Sequence, residues 1–139
     1  LYLMDPVLGD HGRPHPFCTD AFIKGIFCNI LVCLAVWVSF SAKDSAGKVI
    51  SLFFPILIFV VCGFEHCVAN MYYISAGLFS KGIPAYVQAA EAAGVNLDAI
   101  TWGNFFGTNL VPVTLGNIVG GAVCVGMVYW YLYLRKTNK

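Results

Sequence analysis

Glu65 and His66 stand side by side near the middle of an apolar run that extends from Val49 to Phe79. Histidine changes charge near neutral pH and carries both a donor and an acceptor nitrogen. In an apolar setting its charge is therefore easily tuned by what surrounds it. Ionisable side chains at membrane depth are costly, which makes them functional candidates by default. A second reading of the same residues stays open: His66 packs between helices as a structural residue, with Glu65 as its hydrogen-bond partner. Asn29 and Asn117 are polar residues inside two further apolar stretches. On their own such residues bond neighbouring helices, at about 0.6 kcal/mol each.

Six cysteines invite other chemistry. Cys28, Cys33, Cys62, Cys67 and Cys124 all lie in apolar runs, where cysteine behaves as a small buried hydrophobe, and only Cys18 sits near a loop. Disulfide frameworks belong to small, loop-rich secreted chains, which this is not. His11, His15 and Cys18 form one conceivable metal cluster, and Cys62, His66 and Cys67 another. Neither has a standard zinc spacing. A non-transporting membrane metal or redox subunit is the rival reading, and a direct metal assay discriminates it. Gly-rich phosphate loops, Ser–His–Asp sets and paired carboxylates do not stand out, so neither an enzyme nor a cofactor or metal site is expected.

Composition says what must position these residues. Of 139 residues, 59% are hydrophobic and only 11% charged, and mean hydropathy is +0.77. A soluble domain of this size needs far more charge. The formal net charge of +1 gives no reason to expect nucleic acid. A chain that opens on Leu1 without a signal peptide reads as a fragment or processed product, a single membrane unit over residues 1–139.

Apolar spans cover about residues 21–42, 49–79 and 104–134. Each exceeds the roughly 20 residues a helix needs to cross about 30 Å of hydrocarbon. Lipid leaves no backbone group unsatisfied, so the expected fold class is an all-α integral membrane protein with three transmembrane helices. Barrel strands would be about 10 residues long and would alternate in polarity. Lys43 and Lys48 mark the link between the first two spans, and Arg135, Lys136 and Lys139 mark the tail. The positive-inside rule puts that link and the C-terminus in the cytoplasm. The N-terminal segment and the 80–103 loop, with a short surface helix over Pro84–Ala93, are then external. Tyr129, Trp130, Tyr131 and Tyr133 precede the basic tail as an interfacial aromatic belt does.

The second span is too long for one crossing. As a single helix, its thirty-one residues would reach about 46 Å. Tilt absorbs part of that excess; a break absorbs it too. Cys62-Gly63-Phe64-Glu65-His66-Cys67 offers the place, because Gly63 lowers the cost of leaving the helix.

Those residues also carry a resemblance. Gly63-Phe64-Glu65-His66-Cys67-Val68-Ala69-Asn70-Met71 is similar to the fifth-helix signature of the formate/nitrite transporter family, which reads G-F-E-H-S-x-A-N-M in formate channels. Gly25–Trp37 (GIFCNILVCLAVW) resembles the family's fourth helix, and Asn109–Gly121 (NLVPVTLGNIVGG) resembles its sixth. Three motifs in order, covering about Phe22 to Lys136, identify the C-terminal half of such a protein.

The resemblance implies one of two inverted repeats of a six-helix, aquaporin-like channel fold, with the middle helix broken and five protomers each carrying a pore. It implies transport of a small monovalent anion, formate first and nitrite, hydrosulfide or lactate as alternatives, together with a proton, across the inner membrane. His66 matches the central histidine of the pore. Asn29 and Asn117 match polar positions beside it, and Phe59 and Val32 match the apolar constrictions. Glu65 and Gly63 support the break, with Glu65 orienting the histidine or capping the break. Arg13 falls near a basic position of the external vestibule. Gly116 and Gly120 give a G-x-x-x-G face for close helix packing. Cys67 departs from the common serine beside the histidine.

Overall fold

The computed structural model describes residues 19–135, and every regular element within them is helical. The expectations for Arg13, for His11, His15 and Cys18, and for Lys136 and Lys139 lie outside the described residues.

Helix α1 spans Thr19–Ser39. Asp20 occupies its first turn, where a carboxylate favours the positive end of the helix dipole, and pairs with Lys24 at 2.7 Å. The far end closes on serine: Ser39 Oγ donates to the Val36 carbonyl at 2.6 Å and Ser41 Oγ to that of Val38 at 2.7 Å. These bonds add side-chain donors to carbonyls of the last turn, the Val38 carbonyl also accepting from the Ser41 N–H at 3.0 Å.

Asp44 starts α2 (Ser45–Val61), its carboxylate accepting from the Gly47 N–H at 2.8 Å. Pro55 lies inside α2 and has no N–H to complete the ladder there. No residue of α2 is buried within the chain. Helix α3 follows over Cys67–Ser80 and α4 over Pro84–Ala92, with Pro84 in the first turn, where its missing N–H costs nothing. The connection behind α4 is tied down by Lys81, whose ammonium donates to the Leu97 and Ile100 carbonyls at 2.8 and 3.0 Å.

Helix α5 is continuous over Trp102–Leu134, started by Thr101, whose hydroxyl accepts from the Asn104 N–H at 3.2 Å. It widens to i→i+5 turns over Phe105–Leu110, Val119–Met127 and Trp130–Leu134. The first wide turn has a local cause. Pro112 removes one N–H from the ladder and crowds the carbonyl four residues back, and a wider turn makes room for it.

Helices α1 and α5, 21 and 33 residues long, have the length and composition to cross a bilayer. The second apolar stretch does not do so as one helix. Its 17-residue and 14-residue pieces reach about 26 and 21 Å, and the break between them covers residues 62–66.

Helix α1 packs along α5 on glycine. A Cβ added at Gly116 would overlap the Phe22 carbonyl, and one at Gly120 would overlap that of Ile26. Gly25 answers from the other side, 2.9 Å from the Val113 carbonyl as measured from an ideal Cβ. Backbones come this close only where both sides lack bulk. Ala21, Cys28 and Ala35 of α1 and Val113 of α5 are fully buried along this seam. A second seam joins α3 to α5 through Ile74 and Phe105.

At one end, Trp37 meets Tyr129 at 6.0 Å between ring centroids, Tyr129 meets Tyr133 at 4.9 Å, and Arg135 lies over the Tyr131 ring at 5.2 Å. Two cysteine expectations need correction. Cys62 and Cys124 are exposed rather than buried within the chain.

Candidate functional site

The break begins with a turn that only its glycine makes easy. Gly63 has φ of +64°. The Phe64 N–H reaches back to the Phe59 carbonyl at 3.0 Å, and the Gly63 N–H to that of Val60 at 3.1 Å. This pair of bonds is the Schellman ending of a helix, which needs a left-handed residue at Gly63. An added Cβ would meet nothing within 4 Å, so Gly63→Ala isolates the backbone cost. It should destabilise the protein by about 1–2 kcal/mol, read as a lower melting midpoint of the intact protein in detergent.

Beyond the turn, Phe64 stacks on Phe27 of α1 at 5.8 Å, and the chain runs extended through His66 (φ −120°, ψ 118°) into α3. Asn117 of α5 holds this extended stretch. Its side-chain oxygen accepts from the Cys67 N–H at 3.0 Å, satisfying a donor at the start of α3. Its amide nitrogen donates to the Glu65 carbonyl at 3.0 Å and to the Gly25 carbonyl at 2.9 Å. Asn29 of α1 donates to the Asn117 main-chain carbonyl at 2.7 Å.

The Glu65 side chain turns the other way. Asn70, one turn into α3, donates to Glu65 Oε2 at 2.5 Å and to Asn109 Oδ1 at 2.9 Å. Glu65, Asn70 and Asn109 are 7%, 6% and 0% exposed, so three polar side chains share a dry interior. Asn70 serves an acceptor on each neighbour, while Asn109 Nδ2 is buried without a hydrogen-bond partner among the described residues.

His66 stands between these two networks without joining either. Its Nδ1 is buried and has no hydrogen-bond partner among the described residues. The ring faces Phe59 of α2 at 6.2 Å between centroids. Glu65 is thus not the hydrogen-bond partner of His66, as one reading of the sequence would have it; its carboxylate goes to Asn70 instead. Among the described residues no three His, Cys, Asp or Glu side chains converge as metal ligands would.

The structure brings Phe59, Asn117 and the Glu65 main chain around His66, with Asn29 one bond further out. Val32 is half-buried on α1, three residues beyond Asn29 and so on the same helix face. Asn70 and Asn109 carried no assigned role in the sequence. Both lie inside the recognisable motifs, but their bond joins residues 39 apart, and no local pattern announces it.

A family model described as formate/nitrite transporter matches residues 11–131. The chain is 46% identical over 117 residues to a probable formate transporter of Methanothermobacter thermautotrophicus, covering 84% of this chain and 36% of that protein. It is 40% identical over 127 residues to the formate channel FocB of Escherichia coli K12, covering 90% and 45%. A solved pentameric formate channel with formate bound superposes with a TM-score of 0.70 at 47% identity, covering 82% of this chain and 46% of that one. The chain spans less than half the length of these relatives.

Proposed function

The chain belongs to the formate/nitrite transporter family, and we propose that the intact protein carries formate across the membrane through a pore that passes His66. The observation that carries this reading is the His66 imidazole: it stands at a break between two helices, with a buried nitrogen that nothing in the described chain bonds. A small anion entering an apolar constriction loses its hydration at large cost. A donor or a proton at the narrowest point offsets that loss, and histidine supplies either. In this reading Phe59 and Val32 line the apolar constrictions, which exclude hydrated ions. Asn29 and Asn117 border the path, and Gly63 and Glu65 shape the break.

The chain is then one of two inverted repeats, and the site lies where the two face each other. The relative that superposes is pentameric, and the same assembly is proposed for the intact protein. Residues 1–139 form a single unit of the inner membrane, with the 80–103 loop outside and the C-terminus in the cytoplasm. The anion passes with a proton and without chemical conversion.

Liposomes bearing the intact protein test this directly, with formate flux recorded against pH for the wild type and for His66→Asn. The expected result is rapid flux in the wild type and about a tenfold loss in the variant, equivalent to about 1.4 kcal/mol. The pH profile should flatten with it. Nitrite and hydrosulfide in the same assay rank the alternatives. Liposomes that pass none of the three anions would sink the transport reading; equal flux and equal pH profiles would remove His66 from the path.

A further inference from the structure

Asn117 looks at first like a donor waiting for an anion, but its bonds say otherwise. Its amide nitrogen has two hydrogens, and both are engaged by main-chain carbonyls, those of Gly25 and Glu65. Its oxygen is engaged by the Cys67 N–H. The residue as a whole is only 5% exposed. An anion at this amide would have to displace a bond to the protein's own backbone.

What those bonds grip is more telling. The Glu65 carbonyl belongs to the peptide unit on one side of the His66 Cα, and the Cys67 N–H belongs to the unit on the other. One side chain therefore holds both peptide planes that flank His66, at 3.0 Å each. Fixing the two planes fixes φ and ψ of His66, and with them the direction of its Cα–Cβ bond. The imidazole has no bond of its own to aim it, since Nδ1 is without a partner among the described residues. The third contact, to Gly25, ties this clamp to α1, while Asn29 holds the Asn117 carbonyl.

We infer that Asn117 is a positioning residue: its amide clamps the two peptide units around His66 and so aims the imidazole into the path, without touching the anion. This rests on the reading of His66 as the pore residue. It predicts that Asn117 acts only through His66.

The test is a double-mutant cycle in the intact protein, with formate flux in liposomes measured against pH and against formate concentration. Asn117→Ala should lower maximal flux about tenfold and flatten the pH profile toward that of His66→Asn, with little change in the half-saturating concentration. In the His66→Asn background, Asn117→Ala should add no further loss. Asn117→Asp keeps the acceptor for Cys67 but replaces both donors, and should give the same flattened profile if Asn117→Ala does not assemble. A raised half-saturating concentration with an unchanged pH profile would make Asn117 an anion ligand and overturn the inference. So would a full additional loss in the His66→Asn background. Failure of both Asn117 variants to assemble would assign the residue to folding alone. If His66→Asn itself leaves flux and pH profile untouched, the underlying pore reading fails, and that result is visible without any Asn117 variant.

Discussion

Replacing Gly120 by leucine is expected to abolish stable assembly of the intact protein. The added Cβ alone would overlap the Ile26 carbonyl oxygen, with the carbonyl carbon at 2.9 Å and Cα at 3.0 Å. These are main-chain atoms in the middle of α1, so no rotamer change relieves the overlap. The helices must part instead. Parting them strains the Asn29–Asn117 and Asn117–Gly25 bonds, which join the same two helices within one turn of the contact. Overpacking a well-filled interface costs about 1–3 kcal/mol, and a leucine against backbone belongs at or above the top of that range. Gly107→Ala is the control, because a Cβ at Gly107 meets nothing within 4 Å and alanine is the better helix former. Size-exclusion profiles and melting midpoints in detergent read the outcome: an aggregated or absent Gly120→Leu beside a wild-type-like Gly107→Ala. A well-assembled Gly120→Leu with an unchanged midpoint would mean that the α1–α5 contact does not limit stability.

That seam was legible in the sequence, because spacing alone reports it. Glycines four apart on an apolar helix place a smooth stripe on one face, and Gly116 and Gly120 are where α1 comes closest. The break was legible for a similar reason. A run too long for the bilayer, with a glycine and two ionisable residues at its middle, has few ways to stay helical, and the helix does stop at Val61. Other features depend on partners far apart in the chain. Asn117 reads as a polar residue in an apolar helix, which fits an anion donor and a backbone clamp equally well. Only the fold brings it to Glu65 and Cys67, 52 and 50 residues away. The link between Glu65 and His66 was misleading for the opposite reason. Neighbours in an extended chain point to opposite sides, so adjacency in sequence sent the carboxylate toward Asn70 and the imidazole toward Phe59.

The Glu65 side of that divide yields the second large effect. Asn70→Leu should lower the melting midpoint of the intact protein sharply, although the two side chains have the same number of heavy atoms and branch at the same carbon. The Asn70 amide uses one hydrogen on Glu65 Oε2 and the other on Asn109 Oδ1. Leucine leaves two buried acceptors without that donor, at about 1–3 kcal/mol apiece, the carboxylate at the upper end. The combined cost is then about 2–6 kcal/mol, and removing a partner from a buried charged group, at about 3–5 kcal/mol, falls inside that range. The size of the loss alone does not separate lost hydrogen bonds from disturbed packing. Adding Glu65→Gln does. Glutamine brings two donors of its own to within reach of Asn109, since Glu65 Oε2 and Asn109 Oδ1 both lie within 3 Å of one nitrogen. The double variant should therefore melt above Asn70→Leu, while Glu65→Gln alone, which keeps an acceptor for Asn70, should stay near the wild type. If the two changes simply add, the triad is three separate residues packed together. If glutamine restores stability, the donor shared between Glu65 and Asn109 is what holds the far side of the His66 break in place.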